Sequence, residues 1–137
     1  MSPRYLVDTN ILLRFLTGEP VGQAAAARKL FADAAAGGVV LDVSPVIVAE
    51  TIYTLLSFYE VERKEAVEKL ALLLRQPGLK LRQETQLLSA LERLRATNVG
   101  FADAFLAAGG AEENVAVASF DRDLDKFTDV KRFEPSV

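Results

Sequence analysis

Tyr5-Leu6-Val7-Asp8-Thr9-Asn10-Ile11-Leu12-Leu13 places an apolar triplet, a single acid and a second apolar run in direct succession. The triplet has the size and composition of a short strand. It ends on Asp8, and helical spacing takes over near Ile11. The same alternation extends outward. Val39-Val40-Leu41, Leu79-Lys80-Leu81, Val115-Ala116-Val117-Ala118 and Val130-Lys131-Arg132-Phe133 are further strand segments. Between them lie helical patterns: Leu30, Phe31 and Ala34; Ala66, Val67, Leu70, Leu73 and Leu74; Leu87, Leu88, Leu91 and Leu94. Gly18-Glu19-Pro20, Gly37-Gly38, Gln76-Pro77-Gly78 and Gly109-Gly110 read as the connections. Short apolar strands alternating with helices predict an α/β fold of three layers, a mostly parallel sheet between helices. In such a sheet ligands bind beyond the carboxyl ends of the strands. Asp8 falls there, and Asp121 comes shortly after the fourth strand.

The chain has 137 residues, 50% of them hydrophobic and 26% charged. That length predicts a single domain over residues 1–137, able to bury a core without disulfides. It contains no cysteine and no histidine, which excludes thiol and histidine-dependent nucleophiles and any imidazole or thiolate metal site. Carboxylates, hydroxyls, amides, lysines and arginines remain for chemistry. Arg4, Asp8 and Arg14 break the first sixteen residues, and Glu50 interrupts the longest apolar run, Val43 to Tyr59. The expectation is a cytoplasmic protein with no membrane span. A net charge of −3 and a pI near 5.0 argue against a general nucleic-acid binder.

Most acids are mixed with bases, as in Glu62 to Lys69 and Glu92 to Arg95. Three are not. Asp8 is the only charge between Arg4 and Arg14, Glu50 the only one from Val46 to Tyr59, and Asp103 the only one between Arg95 and Glu112. Asp121 joins them because it ends the apolar stretch Val115 to Phe120. A carboxylate in an apolar setting needs a cation or a proton. Each has a structural alternative: Asp8 and Asp121 can cap helices, and Glu50 and Asp103 can pair with a distant arginine or lysine. One arrangement accounts for all four together, namely convergence on a shared cation. Oxygen ligands without nitrogen or sulfur favour Mg²⁺ or Mn²⁺, and ions so placed activate water and stabilise a leaving oxygen. Thr9, Asn10 and Ser119 are expected to hydrogen-bond the carboxylates or a bound water. Asp123 is a fifth acid that either joins the metal or starts a short helix.

Tyr5-Leu6-Val7-Asp8-Thr9-Asn10, Ser44-Pro45-Val46-Ile47-Val48-Ala49-Glu50, Phe101-Ala102-Asp103-Ala104-Phe105-Leu106-Ala107-Ala108 and Ser119-Phe120-Asp121-Arg122-Asp123, in this order, resemble a PIN-domain ribonuclease. More narrowly they resemble the VapC-type toxins of toxin–antitoxin pairs. The resemblance implies a five-stranded parallel sheet, a homodimer, and Mg²⁺- or Mn²⁺-dependent RNA cleavage leaving 5′-phosphate and 3′-hydroxyl ends. It implies Asp8, Glu50, Asp103 and Asp121 as the acidic site, and a cognate antitoxin as partner. Many such proteins carry an acid three residues before the third site carboxylate. Gly100 stands there instead, which puts the second metal in doubt.

Removing the four site acids from the 19 leaves 15 against 16 basic residues, so RNA binding is compatible with the acidic pI once metal is bound. Arg14, Arg122 and Lys126 are close in sequence to site acids and are candidates for phosphate contacts, or else solvated charges. No aromatic–basic interleaving marks a sequence-reading surface, so RNA shape and access are expected to govern substrate choice. The alternative function is a PIN-like module that binds RNA or protein without cutting. A phosphate-acceptor signalling domain fits poorly, because Leu79-Lys80-Leu81-Arg82 supplies no acceptor aspartate.

Overall fold

A computed structural model describes residues 2–137. They form two compact units, the first running through Gln83 and the second from Glu84 to Val137. The first contains, in order, β1 (Arg4–Leu6), α1 (Thr9–Thr17), α2 (Val21–Ala35), β2 (Val40–Val43), α3 (Pro45–Ser57), α4 (Arg63–Leu74) and β3 (Leu79–Leu81). The second contains α5 (Glu84–Ala96), α6 (Phe101–Glu113), β4 (Val117–Ala118), a 3-10 turn (Arg122–Lys126) and β5 (Arg132–Phe133).

The predicted α/β class holds, with six helices and strands paired only in parallel. The strands are grouped as β1-β2-β3 in the first unit and β4-β5 in the second, where a single five-stranded sheet was expected. β4 and β5 are two residues each, much shorter than the apolar stretches that suggested them, so each supports one brief ladder. In the first unit Leu6 lies opposite Asp42, and Asp42 opposite Lys80. β2 is thus the central strand, and its Leu41 and Val43 are fully buried. β1 is an edge strand. Its Tyr5 and Leu6 are exposed, which apolar composition alone did not predict.

Local chemistry explains where the helices start and stop. Asp8 caps α1 by accepting from the Thr9 N–H at 2.8 Å, and Gly18 ends the helix in the left-handed region, at φ 76°. Pro45 opens α3, where its missing N–H costs nothing. Glu62 caps α4 through the N–H groups of Lys64 and Glu65. Along α2 the buried positions are Ala24, Ala27, Phe31 and Ala34, a small-residue stripe that lets α1 approach, with Phe15 set edge-on to Phe31 at 4.9 Å.

Gly109-Gly110 is not a connection, as its composition suggested, but lies inside α6. A Cβ at Gly109 would sit 2.6 Å from the Gln86 side chain of α5, and one at Gly110 would sit 2.8 Å from the Val115 carbonyl. The pair therefore permits close packing where a larger residue would hold α6 away. No helix among the described residues is long and apolar enough to cross a membrane.

Candidate metal centre

Asp103 projects from the first turn of α6 and is half-buried, while Asp121 and Asp123 are exposed at the start of the 3-10 turn that follows β4. One carboxylate oxygen from each of the three lies within 4.8 Å of the others. That spacing is close to the separation of about 4.2 Å between oxygens on opposite sides of a Mg²⁺ ion. Three arginines of the second unit are engaged elsewhere. Arg93 forks onto Asp129 at 2.8 and 2.6 Å, Arg132 onto Asp125 and Glu134, and Arg95 onto Glu92. Lys126 is the exception: its ammonium is 3.4 Å from Asp123 and donates to Asn98 at 2.8 Å.

The Asp103 carboxyl is consequently held above the ordinary aspartate range. Burial is the largest cause, followed by the charge of Asp121, a hydrogen bond shared with it, and the charge of Asp123. A proton there relieves repulsion that a cation would relieve more fully. An oxygen-only donor set of three mutually repelling carboxylates fits a hard divalent ion such as Mg²⁺ or Mn²⁺.

The first unit gathers a second group of predicted residues. Thr9, only 6% exposed, donates its hydroxyl to Glu50 Oε2 at 3.2 Å and its N–H to Asp8 Oδ1 at 2.8 Å. One buried threonine thereby links two carboxylates 42 positions apart in the chain, Asp8 at the end of β1 and Glu50 on α3. Neither carboxylate pays the burial cost inferred from its apolar neighbours, because both are exposed. Among the described residues, neither Glu50 nor Asp103 takes the arginine or lysine partner that the structural alternative required.

The capping alternative, in contrast, is realised at both aspartates. Asp121 Oδ1 accepts from the Asp123 N–H at 2.8 Å, as Asp8 Oδ1 does from Thr9. Each cap occupies one oxygen, which leaves the other for a ligand, so capping and metal binding are compatible. Ser119 is fastened to the backbone of this loop. Its hydroxyl accepts from the Asp121 N–H at 2.9 Å and so fixes the loop, not the carboxylate. Asn10 is exposed on the first turn of α1. Arg14 donates to Gln23 at 2.8 Å, whereas Arg122 is exposed beside Asp121. A side chain at Gly100 would meet open space, so nothing steric explains the missing acid.

One acid escaped the sequence reading. Asp42, in the middle of β2, is 2% exposed and bound by two arginines. Arg4 Nε donates to its Oδ2 at 3.0 Å, with Arg4 Nη2 on the same oxygen, and Arg82 Nε donates to Oδ1 at 3.0 Å. Burial alone would raise its proton affinity, but the two guanidiniums outweigh burial and hold the carboxyl below the usual range. Its signal was the same as that of the other acids, a lone charge in Val40-Leu41-Asp42-Val43.

Comparison with known proteins gives a family. A family model described as PIN domain matches residues 5–130, nearly the whole chain and both units. A crystal structure of VapBC2 from Rickettsia felis, bound to a DNA fragment from their promoter, is similar over 95% of this chain and 97% of that chain, with 15% identity and a TM-score of 0.38. No curated protein matches.

Proposed function

The chain belongs to the PIN-domain family, and on that footing we propose that it is a metal-dependent endoribonuclease, the toxin of a type II toxin–antitoxin pair. PIN domains are generally nucleases, and the acidic cluster is present. The observation that carries the reading is the group Asp103, Asp121 and Asp123, three acids whose oxygens share one small volume. Under this reading one PIN-like domain spans residues 1–137, and the motif resemblance adds Asp8 and Glu50 as site acids. The toxin assignment, the cognate antitoxin and a homodimer are supported by the motif resemblance alone, as is a cytoplasmic location.

A bound divalent ion supplies an acidified water and neutralises phosphate charge. The chain's own residues hold and orient. Asp103, Asp121 and Asp123 would hold such an ion through one carboxylate oxygen each. Thr9 fixes the Glu50 carboxylate through its hydroxyl, and Ser119 fixes the backbone that carries Asp121. Lys126, held between Asp123 and Asn98, and Arg122 on the same turn are the cations available to a phosphate.

The test is cleavage of a structured RNA by purified protein in Mg²⁺ or Mn²⁺. Activity that EDTA blocks and Asp8→Asn or Asp103→Asn removes is the expected result. RNA that stays intact while still binding the protein overturns the reading in favour of the non-cutting module, which Gly100 favours.

A further inference from the structure

We infer that Arg132 is a positioning residue for the acidic centre: its guanidinium clamps both ends of the loop that carries Asp121 and Asp123, and so keeps the two acids beside Asp103. The inference rests on the nuclease reading and deepens it. Arg132 lies on β5, outside the motifs that single out the acids, and its side chain is only 13% exposed. Along one edge of the guanidinium, Nε and Nη2 fork onto the Asp125 carboxylate at 3.0 and 3.2 Å. At the other end, Nη1 donates to the Ser119 carbonyl at 3.1 Å and to Glu134 Oε1 at 2.7 Å. Asp121 and Asp123 lie between Ser119 and Asp125 in the chain. One rigid plate therefore fastens the loop before the first acid and after the second.

The acids themselves create the need for such a clamp. Asp103 belongs to α6, yet one of its oxygens shares a 4.8 Å neighbourhood with oxygens of Asp121 and Asp123. Without a cation these carboxylates repel. Both loop acids are exposed, so packing does little to oppose their spreading. Inside the loop, the Ser119 hydroxyl and Asp121 Oδ1 accept from N–H groups two residues on, contacts that travel with the loop. Buried Leu124 and Phe127 anchor the inner side of the turn, and the Ser119 N–H donates to the Phe133 carbonyl at 3.0 Å. Arg132 joins the two ends. A lysine is a single point of charge and cannot fork onto Asp125 and reach Ser119 together. Arg93 is the matched contrast. It is also 13% exposed and forks onto an aspartate, Asp129, at 2.8 and 2.6 Å. Its other partners, Ser89 and the Phe127 ring, lie outside the loop from Ser119 to Asp125.

The test measures Mn²⁺ affinity by calorimetry, and Tm without metal, for wild type, Arg132→Gln, Arg132→Lys and Arg93→Gln. Arg132→Gln and Arg93→Gln each remove one positive charge, which by electrostatics alone tightens Mn²⁺ binding. Positioning demands the opposite sign at Arg132. Arg132→Gln is expected to bind Mn²⁺ about 10–100-fold more weakly, and Arg132→Lys about tenfold more weakly. Arg93→Gln is expected to lower the metal-free Tm as Arg132→Gln does, with Mn²⁺ affinity unchanged or slightly tighter. Excess Mn²⁺ should restore RNA cleavage to Arg132→Lys but not to Asp103→Asn, which lacks a site carboxylate. Should Arg132→Gln fail to fold, Arg132→Lys decides alone. Wild-type Mn²⁺ affinity in folded Arg132→Lys, or an equal loss in Arg93→Gln, overturns the positioning role and leaves the nuclease reading intact. Wild type that binds no Mn²⁺ overturns both.

Discussion

Asp42 and Asp103 are both aspartates withdrawn from water among apolar neighbours, and their surroundings push them in opposite directions. Asp42 lies in the centre of a three-stranded ladder between Arg4 and Arg82, and its carboxyl is held low. Asp103 faces two more acids, and its carboxyl is held high. The chain itself satisfies the first carboxylate. Around the second the chain places further acids, and under the proposed reading a cation would balance them. A buried acid is therefore informative about function only once its counter-charge is known.

The largest expected effect comes from removing charge at Asp103. Asp103→Asn should lower RNA cleavage by at least about a hundredfold, beyond the 10–100-fold typical of residues that merely support a metal site. It should also abolish the Mn²⁺-induced rise in Tm. Metal-free stability should stay constant or increase, since the change removes repulsion. A melt showing clear destabilisation without metal would break the contrast with Asp42.

Asp42→Asn should do the reverse, costing about 1–3 kcal/mol of stability in denaturant melts while metal binding persists. The loss falls below the 3–5 kcal/mol of a wholly buried pair because both guanidiniums are half-exposed and screened by solvent.

Acidity separates the two residues a third way. A depressed folded-state carboxyl contributes stability above its unfolded value, near 3.8, and loses it as pH falls through the folded value. Asp42 should thus contribute to acid unfolding below about pH 4. A raised carboxyl contributes stability below pH 3.8 and loses it as pH climbs through its higher folded value. Metal-free wild type should accordingly lose part of its stability on titration upward from that point, and Asp103→Asn should not. Parallel melts across pH 3–7 measure both limbs.

The smallest effects test the supporting residues. Thr9→Val removes the hydroxyl that donates to Glu50 and should cost about 0.5–1.5 kcal/mol, with weaker Mn²⁺ binding by calorimetry. Gly100→Asp, entering open space at the N-cap of α6, should add only a few tenths of a kcal/mol through capping. A several-fold gain in Mn²⁺ affinity in the same variant would mark position 100 as part of the acidic centre.

Much of this was legible before any coordinates. Alternation of apolar triplets with helical spacing gave the α/β class, and β3 matches its segment end to end. Charge isolation picked out Asp103 and Asp121, which the fold brings together. Asp42 carries the same signal, but it lies just past Leu41, where the apolar triplet of β2 ends in sequence. Its neutralising partners are also 38 and 40 positions away, and only the parallel register of three strands reveals them. Isolation in sequence likewise overstated burial at Asp8 and Glu50, since a helix face or strand end can carry an acid to solvent whatever its neighbours are.

Arg132 ties the carbonyl of Ser119 to β5 across 13 positions of sequence. A ribosome therefore makes the acids of this loop before it makes the strand that fastens them. Chains truncated before residue 132 would keep Asp103, Asp121 and Asp123 but lack the tether that holds the Ser119 carbonyl.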